Sequence, residues 1–122
     1  MLYLVKIPKI QNYYYICIMR YTIKDKDLLE LLTTGKNGKF KSVAKNPAFM
    51  TGLRRVFATF DSAPDVAFLH KVSFLHYERL TGNMSGLSSC RIINSSPLRL
   101  IIEEYEGEVF ISILRMEDYH NG

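Results

Sequence analysis

The sequence predicts a small, single α+β domain: an N-terminal strand, two helices, then a three-stranded antiparallel meander. Three observations carry that reading. The aromatic and β-branched stretch "YYYICIMRYTI" lies near the start, Asn46-Pro47 precedes an apolar stripe at helical spacing, and three short β-rich runs close the chain. A length of 122 residues holds one core and not two. Hydrophobic and charged contents of 48% and 23% are the globular balance, which argues against a disordered chain.

Residues 13–23 read as a strand because such side chains fit a pleated, half-buried surface. "DKDLLELLTTG" reads as a short helix, with Asp27 and Glu30 in capping-box spacing and Gly35 as the stop. "KNGKFKSVAKN" is a polar connection that carries Lys36, Lys39, Lys41 and Lys45 and no acid. Asn46 as N-cap and Pro47 as first helical residue open the second helix. Met50, Leu53, Val56, Phe57 and Phe60 then share one face, Arg54 and Arg55 fall off it, and "DSAP" ends it. Residues 65–80 read as a helical turn and an extended piece holding His70, His76 and Arg79. After "TGNMSG", strands are expected at 87–93, 98–104 and 109–116, the last two joined by "YEGE". Short strands in direct succession favour antiparallel neighbours, with helices covering one face. Glu103, Glu104, Glu106 and Glu108 are expected to keep that hairpin soluble and its edge unpaired.

Several chemistries are excluded by spacing. "TGKNGK" lacks the pattern of a phosphate loop, and no serine sits in a GxSxG elbow. His70 and His76 have no Cys or carboxylate at metal-ligand spacing. No apolar run reaches the length of a membrane span. The opening "MLYLVKIPKIQNYYYICIM" is interrupted by Lys6, Pro8 and Lys9 and is followed by no cleavage site, so a cytoplasmic protein is expected. Cys17 and Cys90 then read as reduced core or strand residues. Residues 1–60 carry a net +8 and residues 61–122 a net −4. The basic half suits a polyanion, because each cation near a phosphate releases counterions; a solvated lysine face explains it equally well.

The closing "EVFISILRMEDYHNG" runs a strand straight into Glu117, Asp118, Tyr119 and His120, four groups able to exchange or donate protons. Strand alternation puts Asp118 and His120 on one side, in phase with Leu114 and Met116, and Tyr119 on the other. Such a tail either frays or places a carboxylate, a phenol and an imidazole around one concavity.

From Met19 onward the sequence resembles the HigB branch of the RelE/ParE superfamily of bacterial toxins. The resemblance rests on "LHYERLTGNMSGLSSCRI", "PLRLIIEEYEGEVFISI" and the closing "MEDYH", in which the order of the family's elements is kept. Matched in turn are Leu75-His76, Arg79, Gly82 or Gly86, Arg91, Arg99-Leu100, and Glu117 to His120. Residues 1–18 have no counterpart and are expected to be an extension of a toxin domain spanning 19–122. Leu98 stands where the family has an aromatic, Arg79 where it often has Lys, and "INSSP" lengthens the turn before Arg99.

The resemblance implies a RelE-like fold and a ribosome-dependent mRNA endonuclease that needs no cofactor or metal. It also implies a helix-turn-helix antitoxin of the HigA kind as partner, and contact with DNA only through that antitoxin. Carried over by position, the catalytic set is His76, Asp118, Tyr119 and His120, and Arg79, Arg91 and Arg99 bind RNA phosphate. The chemistry suits the residues. Metal-free RNA cleavage needs a base for the 2′-OH, an acid for the leaving 5′-oxygen, and cations for charge growing on phosphate. A histidine titrates near neutrality, arginine binds phosphate through two parallel N–H groups, and tyrosine can stack on a base. Two alternatives remain at this stage: a ParE-like toxin that binds gyrase without catalysis, and a non-toxic relative that only holds an antitoxin.

Overall fold

The computed structural model describes residues 2–6, 13–17, 19–105, 107 and 109–118, with side chains from Met19 onward. The elements, in order, are β1 (Leu2–Lys6), β2 (Tyr13–Cys17), β3 (Arg20–Ile23), α1 (Lys26–Thr34), α2 (Lys41–Ala44), α3 (Pro47–Ser62) and α4 (Val66–Lys71). They are followed by β4 (Glu78–Arg79), β5 (Leu87–Arg91), β6 (Leu98–Tyr105) and β7 (Phe110–Asp118), with short 3-10 turns at Ser73–Leu75 and Gly82–Met84.

The α+β class and the antiparallel β5-β6-β7 meander are as expected, but the sheet is larger and mixed. It has five strands in the order β3-β7-β6-β5-β4, and β3 lies parallel to β7. The segment between β3 and β4 is helical, so the chain returns to the sheet through a long crossover, and such a connection permits the parallel pairing. Strand β4 has only two residues, too few to leave a period-two signal in sequence.

The expected strand over 13–23 is two strands in two sheets. β1 and β2 pair antiparallel with each other, whereas β3 joins the main sheet. Between them Met19 turns into the core and donates its N–H to Ala63 O at 3.1 Å.

Helix α1 is capped by Asp25 rather than Asp27: the Asp25 carboxylate accepts from the N–H groups of Asp27 and Leu28. Gly35 closes it at φ 76°, a conformation that costs a side-chain-bearing residue about 1–2 kcal/mol. The lysine-rich connection hides α2 and a buried Phe40, and the helical turn expected within 65–80 is α4, so there are four helices among the described residues. α3 begins as its sequence dictates, with Asn46 Oδ1 accepting from Phe49 N and Pro47 in the first turn. Its whole predicted stripe is buried, and Arg54 and Arg55 are exposed. Gly52 belongs to that stripe by necessity, since a Cβ there would collide with Ile93 and come within 3.0 Å of Ile92 O.

The helices cover one face of the sheet. Leu28, Leu31, Leu53, Phe60 and Leu69 pack there against Cys90, Leu100, Ile102, Ile111, Ile113 and Met116. Tyr21 joins from β3, tilted against Phe57 and Phe60, and its hydroxyl donates to Asp61 at 2.6 Å. Burial first, and then the Asp61 carboxylate, push that phenol above its ordinary range, so it stays a donor.

Candidate functional site

Which side chains share a surface follows from the register. Glu78 pairs with Ser89, Ser89 with Ile101, and Ile101 with Arg115; the next row is Arg91, Arg99 and Glu117. These residues occupy the face away from the helices, because their neighbours Cys90, Leu100 and Met116 belong to the core. Arg99 Nη1 lies 4.0 Å from Glu78 Oε1, and Arg115 Nε lies 3.2 Å from Glu117 Oε2, which ties the rows together across the open face. Arg91 Nη1 donates to Asn94 Oδ1 at 3.1 Å. Ser89 and Ile101 are buried beneath this surface, and the Ser89 hydroxyl finds no hydrogen-bond partner among the described residues.

A bulge decides what the end of β7 presents. Ile102 pairs with Ile113 and Ile101 with Arg115, so Leu114 is an extra residue with no partner. The inserted residue reverses the alternation. Met116 enters the core instead of facing out, Arg115 and Glu117 move to the open face, and Asp118, paired with Leu98, follows Met116 to the helix side. The expected phase of Asp118 with Met116 holds, but Leu114 does not share it.

Four of the sequence-predicted residues converge on one end of the sheet. β4 runs antiparallel to β5, so the end at which His76 enters β4 is the end at which β5 finishes with Arg91. Arg99 and the close of β7 at Asp118 lie in the adjoining strands at that same end. His76 is exposed and holds φ 44°, ψ 49°, the left-handed region, which is uncommon for any residue with a Cβ. Tyr119 and His120 lie outside the described residues; the strand that leads to them ends beside Arg99. An end that combines an imidazole, two guanidinium groups and a carboxylate can bind a phosphodiester and move protons around it.

Arg79 is not part of that gathering. It pairs with Ser88 on the helix side and reaches Glu104 Oε1 at 3.2 Å. The same carboxylate accepts from Tyr77 Oη at 2.7 Å and Ser88 Oγ at 2.9 Å. Glu104, expected on sequence to serve hairpin solubility, is therefore a partly buried tie that clamps β4 onto β5 and β6. Its burial alone would push the carboxyl up; the hydrogen bonds from Tyr77, Ser88 and Arg79, with the Arg79 charge, outweigh that and hold it below its ordinary 4.5. Burial first, then the Glu104 contact, raise the Tyr77 phenol. No arrangement of single sequence motifs announces this network; a Tyr, an Arg, a Ser and a Glu become neighbours only through the register.

Other residues fall into structural places. His70 is exposed and stands edge-on to Tyr77 at 4.8 Å. Arg55 lies 3.6 Å over the Phe74 ring. Cys90 is fully buried, and its thiol is pushed up to about 12 by that burial, against a smaller opposing effect of Arg99. Among the described residues no three His, Cys, Asp or Glu side chains gather as metal ligands would, and no helix is long and apolar enough to cross a membrane.

The fold and this end of it define a small α+β domain with one helix-covered and one open, charge-bearing sheet face. No family model and no curated protein matches the chain. Among solved structures it is similar to a YoeB-YefM complex from Staphylococcus aureus, with a TM-score of 0.48 and 18% identity over 84% of this chain and 97% of that one. A heterotetrameric YoeB-YefM toxin-antitoxin complex from the same organism is similar at a TM-score of 0.49 and 16% identity, with the same coverage.

Proposed function

We propose that the chain is the toxin of a type II toxin–antitoxin pair and that it cuts mRNA engaged on ribosomes by metal-independent acid–base chemistry. The observation that carries this reading is the convergence of His76, Arg91, Arg99 and the start of the closing Glu-Asp-Tyr-His at one sheet end. Those are the residue types a phosphodiester cleavage needs: two guanidinium groups for the phosphate, and imidazoles and a carboxylate for proton transfer. His76 and His120 supply the acid and the base, Asp118 orients or charges an imidazole, and Tyr119 stacks on a base or donates to phosphate. Arg79 acts at a distance from this chemistry, through the Glu104 tie that fixes β4 and hence the entry of His76. A helix-turn-helix antitoxin of the HigA kind neutralises the toxin, and residues 1–18 are dispensable for both activities.

Expression of the chain should arrest growth and yield cut messages only where ribosomes engage them. Intact mRNA alongside gyrase-linked DNA breaks would move the protein to the ParE-like reading, and efficient cutting of naked mRNA would remove the ribosome from the mechanism.

A further inference from the structure

At the opposite end of the open face, about 20 Å along β6 from Arg99 at 3.3 Å per residue, lies a second concavity. Thr22, Lys24, Tyr105, Phe110 and Ser112 line it, and its volume is about 390 Å³. The ladder builds it without help from loops. β3 and β7 are parallel, with Arg20 opposite Phe110 and Thr22 opposite Ser112, and Tyr105 faces Phe110 from β6. Tyr105 and Phe110 meet edge to face at 6.0 Å, and Tyr105 is 42% exposed. The floor is polar: Ser112 is fully buried and its hydroxyl lies 3.1 Å from that of Thr22, either one able to donate. Two cations edge the site, Lys24 within its lining and Arg20 at 5.9 Å over the Phe110 ring. On the other side Glu103, opposite Ser112, supplies negative charge.

We infer that this concavity is a nucleotide subsite for single-stranded RNA. The exposed Tyr105 ring, backed by half-buried Phe110, offers a stacking face that any base can use, and the exposed Thr22 hydroxyl, held from below by Ser112, can meet a base edge. Lys24 and Arg20 on one side against Glu103 on the other orient the phosphate toward β3 and away from β6. The inference rests on RNA as the substrate: it makes the open face a track whose reacting end holds Arg91 and Arg99 and whose far end grips a nucleotide beyond the cut.

The test is a titration of the full chain with adenosine 5′-monophosphate at low salt, followed by NMR, with cleavage of a ribosome-bound message measured on the same variants. Resonances of Thr22, Tyr105, Phe110 and Ser112 should move together, and inorganic phosphate alone should move Lys24 and leave the rings still. Tyr105→Ala should weaken nucleotide binding by about 5- to 150-fold, the loss of one base–aromatic stack, whereas Tyr105→Phe should retain it. Lys24→Ala should weaken it less. Shifts confined to the Arg91 and Arg99 rows, binding indifferent to Tyr105→Ala, or no binding at all would overturn the subsite. A chain that binds the nucleotide through Tyr105 but cuts nothing would keep the subsite and end the nuclease reading; one that cuts normally with unchanged binding in Tyr105→Ala would do the reverse.

Discussion

On the helix-covered face of the sheet Cys90, Leu100, Ile102, Ile111, Ile113 and Met116 are buried, while on the other face Arg91, Arg99, Arg115 and Glu117 stay partly exposed along the same three strands. The covered face has one acceptable filling, because side chains there interdigitate at crystal-like density. The open face is held by ion pairs at 3.2 and 4.0 Å whose groups remain in contact with water, and such pairs are worth about 0–1 kcal/mol. Stability and chemistry are thus divided between the two surfaces of one sheet. Glu104 is the exception: a carboxylate on the covered side, opposite Ile111, that is satisfied by three donors.

That division predicts unequal costs. Phe60→Ala empties the centre of the Tyr21–Phe57–Phe60 cluster and should lower unfolding free energy by about 3–5 kcal/mol in urea titrations. If Arg99→Ala cost as much, the open face would be part of the core and the distinction would be lost.

Glu104→Gln should come next, at about 1–3 kcal/mol near neutral pH, through weakened charge-assisted hydrogen bonds. The acid limb of the stability curve sharpens the point. Because the folded carboxyl titrates below 4.5, its contribution is complete above that pH and is lost as pH falls through the depressed folded value. The parent should therefore lose stability more steeply than Glu104→Gln as pH drops below about 4.5. Parallel acid limbs for the two proteins would show that Glu104 is not the tie described.

The smallest change is expected from removing residues 1–18. β1 and β2 pair with each other, and the five-stranded sheet begins at Arg20. A chain beginning at Met19 should melt within a few degrees of the parent, its new ammonium still able to donate to Ala63 O. A large drop would make the hairpin part of the domain.

Much of this was legible in the sequence. The α3 stripe, its Asn46-Pro47 start and the three-stranded meander all follow from local periodicity and order. What escaped is of two kinds. β4 and α2, of two and four residues, are too short for their periods to repeat, and a cap such as Asp25 is a single residue. The opposite faces of Arg79 and Arg99, the Glu104 tie and the Tyr105–Phe110 concavity depend on register, and one unpaired residue, Leu114, is enough to exchange Arg115 and Glu117 with Met116 between faces. No local signal in "ISILRMED" marks that insertion.

The sharpest experiment compares cleavage of a ribosome-bound message by the parent, Arg99→Ala, His120→Gln and His70→Gln, with melting temperature measured on each purified protein. Loss of general acid–base participation is worth about 10²- to 10⁴-fold in rate. His120→Gln should therefore nearly abolish cutting, Arg99→Ala should reduce it strongly, and His70→Gln should leave it almost unchanged, with all melting temperatures close to the parent. A folded His120→Gln protein that cuts at the parent's rate, beside an equally active Arg99→Ala, would contradict an active site at this end of the sheet.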